Sequence, residues 1–285
     1  MKRLPERWTA LRTAAPQARA LMLFDGALQR PLADRARAHG ASDAVALLPT
    51  DDAEGRQLGP WLLSEAAASA CGAAGIAPGI NWVLARQSLD EVADHLSRHA
   101  ITRGQGNDSP IYLRMADGRT LGHLLPLWGA EQRARFFAPF LAWCAADRDG
   151  RPVMHEPDDV PAGRSGPASH RPPIVSETQL CALVEASVPD MLLAHLGACA
   201  DDGGNEARYR LAVRTIVVAG RLGYEGAGEQ AAILAAVLAH GAGQTLEDEL
   251  ANVLSARPRE ALLRSALQAW SRPATAENPH RNDPP

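Results

Sequence analysis

Aromatic residues are scarce in this 285-residue chain, at 5% of positions, and long apolar runs and cysteine pairs are missing. With few rings available, alanine must do much of the packing, which favours helices. No run approaches the ~20 apolar residues of a membrane-spanning helix. The N-terminal stretch MKRLPERWTALRTAAPQARA carries charges throughout and has no apolar signal-peptide core, so a cytoplasmic protein is expected. Cys71, Cys144, Cys181 and Cys199 are dispersed without a C-x-x-C pair. Four reduced, mostly buried thiols are the expectation. A surplus of positive charge is absent too: the net charge is −4 and the pI about 6.1. Nothing in that balance calls for a nucleic-acid or membrane-surface partner.

The common catalytic and cofactor signatures are also lacking. There is no G-x-x-x-x-G-K-[ST], no G-x-G-x-x-G behind a strand, no H-E-x-x-H and no G-x-S-x-G. Ser165 in GRSGP has the wrong spacing, and the glycine-rich CGAAGIAPGI at 71–80 has no following basic residue to hold a phosphate. His95 and His99 have metal-compatible spacing. They lie off the apolar face of their helix without a third ligand nearby, so a solvated helix end is the expectation. No catalytic, cofactor or metal residue is therefore assigned.

What is present is an alternation of elements. Residues 18–27 read as a strand ended by Asp25-Gly26, 28–40 as a helix stopped by Gly40, and 43–49 as a second strand. An acidic loop with Asp51, Asp52 and Glu54 leads into Gly59-Pro60-Trp61 and a third apolar run. Pro60 suits a strand's first residue, Gly59 a sharp turn, and Trp61 a buried lock on the strand start or else a partner contact. A helix at 65–75 and a strand at 80–86 follow, then a helix at 88–99 opened by the Ser88/Glu91 capping box. A strand at 110–115, helices at 119–128 and 130–137, and a hairpin at 140–155 turning on Asp149-Gly150 complete this half.

The pattern predicts an α/β N-terminal lobe at 18–155, with a mixed or mainly parallel sheet flanked by helices, after an N-terminal extension at 1–17. A Pro/Gly-rich linker is expected at 156–175, then an all-helical lobe at 176–271 with a break near Pro189, and a disordered tail at 272–285. The second half is the acidic one: residues 177–270 hold 7 Lys+Arg against 12 Asp+Glu. Arg210, Arg214 and Arg221 nevertheless share a helical face. That face is either solvated or a contact for an acidic partner. Asp25, Arg114 and Asp117 fall at strand ends, where α/β enzymes place catalytic groups. Carboxylates there also cap helices and hold turns, and no nucleophile or base accompanies them.

Five ordered blocks resemble the effector adaptor/chaperone family of bacterial type VI secretion, a domain of unknown function (number 4123). LMLFDGA is similar to its opening strand with Asp25 and Gly26, and LGPWLL to its Gly-Pro-Trp-Leu segment with Gly59, Pro60 and Trp61. INWVLARQSLDEVADHL resembles its strand–serine–helix block. YLRMADGRTLGHLLP is similar to an Arg-Phe-Tyr-Asp-Pro-Arg-Val-Leu block, with Arg114, Asp117, Arg119 and Leu121 in place. EQRARFFAPFLAW keeps Phe136, Phe137, Pro139 and Trp143 of its closing segment. Met115 and Ala116 replace Phe-Tyr, and Gly118 replaces Pro.

The resemblance implies a cytoplasmic, non-enzymatic protein without cofactor. It would bind a secreted effector and load it onto the spike tip through the C-terminal region of the spike protein. An immunity-like toxin-binding protein, or an enzyme using the strand-end Asp and Arg residues, are the alternatives.

Overall fold

The computed structural model describes residues 2–40, 43–104, 107–157, 174–199, 205–240, 246–255 and 267. The chain divides into two compact units, Met1–Ala186 and Ser187–Pro285. The first opens with α1 (Glu6–Ala14), β1 (Arg19–Asp25), α2 (Arg30–His39), β2 (Ala44–Ala46), α3 (Ala53–Leu58) and β3 (Pro60–Ser64). It continues through α4 (Glu65–Ala70), β4 (Ile80–Ala85), α5 (Leu89–Ala100), β5 (Ile101–Gly104) and β6 (Asn107–Tyr112). Then come α6 (Gly118–Leu127), α7 (Ala130–Phe137), β7 (Phe140–Ala146), β8 (Pro152–His155) and β9 (Ile174–Val175).

Six strands form one sheet in the order β2-β3-β1-β4-β7-β8. The α/β assignment holds, but strand direction departs from the mainly parallel arrangement. Every ladder in this sheet is antiparallel, and only the small β6-β5-β9 sheet contains a parallel pair, β5 with β9. The reason lies in the connections. β1 and β2 are both antiparallel to β3, so β1-α2-β2 is a parallel unit of the kind the alternation suggested. The next strand, β3, inserts between its two strands.

Alternate residues of each strand feed opposite faces. On one face Leu21, Leu23, Leu62, Val83 and Trp143 pack with Val92, Leu96, Leu121, Leu124 and Phe136 of α5, α6 and α7. On the other, Met22, Phe24, Trp61, Leu63, Trp82 and Leu84 meet Trp8 of α1, Leu32 and Ala36 of α2 and Ala67 of α4. With both faces covered, the strands read as continuous apolar runs. Each large side chain so buried stabilises by roughly 1.5–3 kcal/mol relative to exposure.

Local signals fix the helix ends. Ser88 accepts the Glu91 N–H while the Glu91 carboxylate accepts the Ser88 N–H, so the capping box is formed. Gly150 (φ +67°) sits in the expected hairpin turn.

Several segments differ from expectation. No strand was expected at β5, and β9 falls at the end of the expected linker, where it pairs with β5 and buries Val175 in the core. The acidic loop contains α3, because the Asp52 carboxylate caps it by accepting from the Glu54 and Gly55 N–H groups. Residues 2–17, expected as an extension, are integrated: α1 buries Trp8 in the core, and Lys2 pairs with Ile76. α8 (Glu177–His195) continues through Pro189 without the expected break. Pro189 is buried, and Leu192 and Leu193 just beyond it are core residues, so packing outweighs the hydrogen bond that proline cannot donate.

The division between units falls inside α8. Its first half belongs with the first unit, where Leu180 and Leu183 pack on that core and the Gln179 amide donates to the Leu127 carbonyl at 2.8 Å. The second unit is helical, with α9 (Asn205–Arg221), α10 (Ala227–His240) and α11 (Leu246–Ser255). Its core is formed by Leu211, Val218, Ile233, Val237, Leu250 and Leu254, with Leu192, Leu193 and Leu234. Most of the linker, residues 256–271 of the expected helical lobe except Leu267, and the tail lie outside the described residues. No described helix is long and apolar enough to cross a membrane.

Candidate functional site: a polar clasp at the sheet end

The C-terminal end of β1 and the start of β3 lie side by side, with Asp25 opposite Pro60 and Phe24 opposite Trp61. Two of the five sequence blocks are therefore one structural feature. Phe24 and Trp61 stack with ring planes 6° apart. The Gly26 N–H donates to the Gly59 carbonyl at 2.9 Å. A Cβ on Gly26 would sit 2.1 Å from the Gln57 carbonyl oxygen, so only glycine fits. Gly59 is extended (φ −69°, ψ −179°) rather than sharply turned. Space is what it supplies, since a Cβ there would meet Leu48 Cβ at 2.9 Å.

Asp25 is fully buried and holds the turn before α6 against the sheet. Arg114 donates to both its oxygens, Nε to Oδ2 at 3.1 Å and Nη2 to Oδ1 at 3.0 Å. The Leu28 N–H donates to Oδ1 as well. At the end of that turn, Asp117 caps α6 by accepting the Arg119 N–H, and the Arg119 guanidinium donates to both of its oxygens. The Tyr112 hydroxyl is buried nearby. Burial raises its pKa above the ordinary phenol value, and the Asp25 charge raises it further.

The centre of this clasp is a residue that sequence reasoning did not single out. Asn81 is fully buried on β4. Its amide donates to the Ala116 carbonyl at 2.6 Å and to the Leu23 carbonyl at 3.4 Å. Its carbonyl accepts from Trp143 Nε1 at 3.3 Å. One side chain thus ties the first, third, fourth and fifth blocks together. The available signal was a lone amide inside the apolar run INWVLA.

Most of the expected positions lie inside the fold. Gly26, Gly59, Pro60, Trp61, Phe137, Pro139 and Trp143 are all buried, whereas Arg114 and Arg119 reach solvent in part. Met115 and Ala116, the positions that depart from the family pattern, are buried in the core and not on a surface. Gly118 is required by space: its Cβ would lie 2.1 Å from the Ala146 carbonyl oxygen. Each carboxylate of the clasp has guanidinium and backbone donors on it. The arrangement is one that fixes a loop to a sheet.

His95 and His99 are not at a solvated helix end. Their rings lie 4.3 Å apart, edge-on to Phe140 and Phe136 respectively. His95 Nε2 donates to the Phe136 carbonyl and His99 Nδ1 to the His95 carbonyl, both at 2.9 Å. Burial pushes His95 down to about 3 and also lowers His99. Among the described residues no group of three or more His, Cys, Asp or Glu is placed to hold a metal ion. The thiols divide evenly, Cys71 and Cys144 buried and Cys181 and Cys199 exposed, so burial is less general than expected. α8 carries Cys181 on a solvent-facing position, and Cys199 follows its end.

Residues 21–135 match the family described as Domain of unknown function (DUF4123). The matched segment runs from Leu21 in β1 to Arg135 in α7 and therefore holds Asp25, Trp61, Asn81, Arg114 and Asp117. Phe137, Pro139 and Trp143 lie beyond it. No curated protein and no solved structure matches the chain.

Proposed function

We propose that the chain is a non-enzymatic adaptor/chaperone of type VI secretion. It binds a toxic effector in the cytoplasm and delivers it to the tip of the spike, through contacts with the spike protein's C-terminal region. The observation that carries this reading is the DUF4123 match over 21–135, in the segment where the ordered blocks resemble the effector adaptors. The polar clasp supports a scaffold role for that segment. Its acids are engaged in holding a loop, and the landmarks around it are mostly buried. A rigid platform of this kind lowers the ordering cost of presenting a surface to another protein.

The test is co-expression of the full chain with the products of the neighbouring genes, followed by affinity purification. An adaptor co-elutes with an effector or spike protein and raises the effector's soluble yield. If neither protein binds or gains solubility, the proposal fails.

A further inference from the structure

We infer that the solvent face of α9 is a docking strip for an acidic amphipathic helix of the protein's partner, an assignment that rests on the adaptor reading. α9 turns Leu211, Ala212, Thr215, Val218 and Ala219 inward. Its exposed positions are Ala207, Arg210, Arg214, Val217 and Arg221, spaced by three and four residues along one line. Three guanidiniums therefore run about 16 Å along the helix axis, with a valine that is 44% exposed between the last two.

The charges are placed against the background of their own half of the chain. Residues 177–270 contain 7 basic and 12 acidic residues, and three of the seven lie on this one face. Among the described residues Arg210 alone of the three is engaged, by Glu206 one turn earlier at 2.9 Å. Among the described residues Arg214 and Arg221 have no carboxylate partner. Arg208, which lies off the strip, is used internally on the Ala198 carbonyl at 3.0 Å. A solvated helix usually balances such arginines with acids at i±4; Arg214 has none at those positions, and the Glu225 four residues after Arg221 lies past the end of α9.

Charge complementarity then names the occupant: Glu or Asp repeating at heptad spacing opposite the arginines, with an apolar residue over Val217. The exposed valine argues for a protein helix over nucleic acid. So does the net charge of −4, since a phosphate backbone is held by a broad basic field.

Solution anisotropy with the full chain tests the assignment. One probe is a labelled helical peptide of about 18 residues, or five turns, with Glu and Leu in heptad register; its Glu→Gln twin, a DNA duplex and phosphatidylserine vesicles are the others. Wild type is expected to bind the acidic peptide saturably and its twin at least about tenfold more weakly. R214E/R221E is expected to lose at least about tenfold for the acidic peptide at low salt, with the difference shrinking at high salt. V217S is expected to weaken binding without changing the salt dependence. Equal binding by wild type and R214E/R221E, no binding of the acidic peptide, or a loss confined to DNA or vesicles each overturns the assignment. The charge-reversed protein is also tested against the neighbouring-gene partner. A partner bound equally by both proteins removes the strip and leaves the adaptor standing, whereas no partner for wild type removes the adaptor and leaves the peptide result to decide the strip.

Discussion

Lowering the pH from 7.5 to 5 is expected to weaken the N-terminal unit through His95. The imidazole is neutral in the folded protein, donating Nε2–H to the Phe136 carbonyl and packed against Phe140. Its pKa is depressed to about 3, chiefly by burial and then by His99. In the unfolded chain it returns to about 6.5. A base with a depressed folded pKa takes up its proton preferentially in the unfolded state. Its contribution is therefore complete above about pH 6.5 and is lost as the pH falls toward 3. At pH 5 the unfolded pKa lies about 1.5 units above the solution while the folded group stays neutral, a loss of about 2 kcal/mol. His99 acts in the same direction.

The assay is urea unfolding followed by tryptophan fluorescence. Trp8, Trp61, Trp82, Trp128 and Trp143 all belong to the first unit, so the signal reports mainly on it. His95→Gln retains a donor for the Phe136 carbonyl and does not titrate. Its stability should fall by about 1–2 kcal/mol less than wild type between the two pH values, because carboxylate effects such as that of Glu91 are common to both. Parallel losses in the two proteins, or a folded-state NMR pKa for His95 near 6.5, would refute the reasoning.

Other substitutions separate the roles inside the clasp. Asn81→Leu keeps the volume but leaves the Ala116 carbonyl and the Trp143 N–H buried without partners. A loss of about 2–4 kcal/mol is expected in denaturant titration, and a neutral result removes Asn81 from the centre of the clasp. Gly118→Ala and Gly122→Ala should have opposite signs. The first drives a methyl into the Ala146 carbonyl, whereas the second meets nothing within 4 Å in the same helix and should stabilise by about 0.5–1 kcal/mol. Equal melting shifts for both contradict the packing at Gly118. Trp61→Ala removes the ring stacked on Phe24 and is expected to cost about 3–5 kcal/mol while the folded fraction still binds partner. Normal melting with abolished binding makes Trp61 a contact residue instead.

How much was legible follows from the range of the interactions. The β1 strand, the Ser88/Glu91 capping box and the Asp149-Gly150 hairpin are specified within a few residues, and all three formed where the sequence placed them. Strand direction was not legible, because a strand–helix alternation has the same pattern whether or not a later strand inserts between the first two. α3 was hidden by its acids, which read as loop composition although Asp52 is a cap. The histidine pair was misread because its cover comes from Phe136 and Phe140, some forty residues away. Within the clasp, Asp25, Arg114 and Asp117 were visible as strand-end charges, but not their pairing. The Asp25–Arg114 contact spans 89 residues and depends on the completed sheet.

The adaptor proposal meets its most direct test in a secretion assay with the gene deleted in frame. An adaptor is required for loading, so the neighbouring effector is expected to vanish from the secreted fraction while the producing cells remain viable. Secretion that persists at wild-type level, with the deletion strain poisoned by its own toxin, would contradict that role and identify a protein that neutralises the toxin instead.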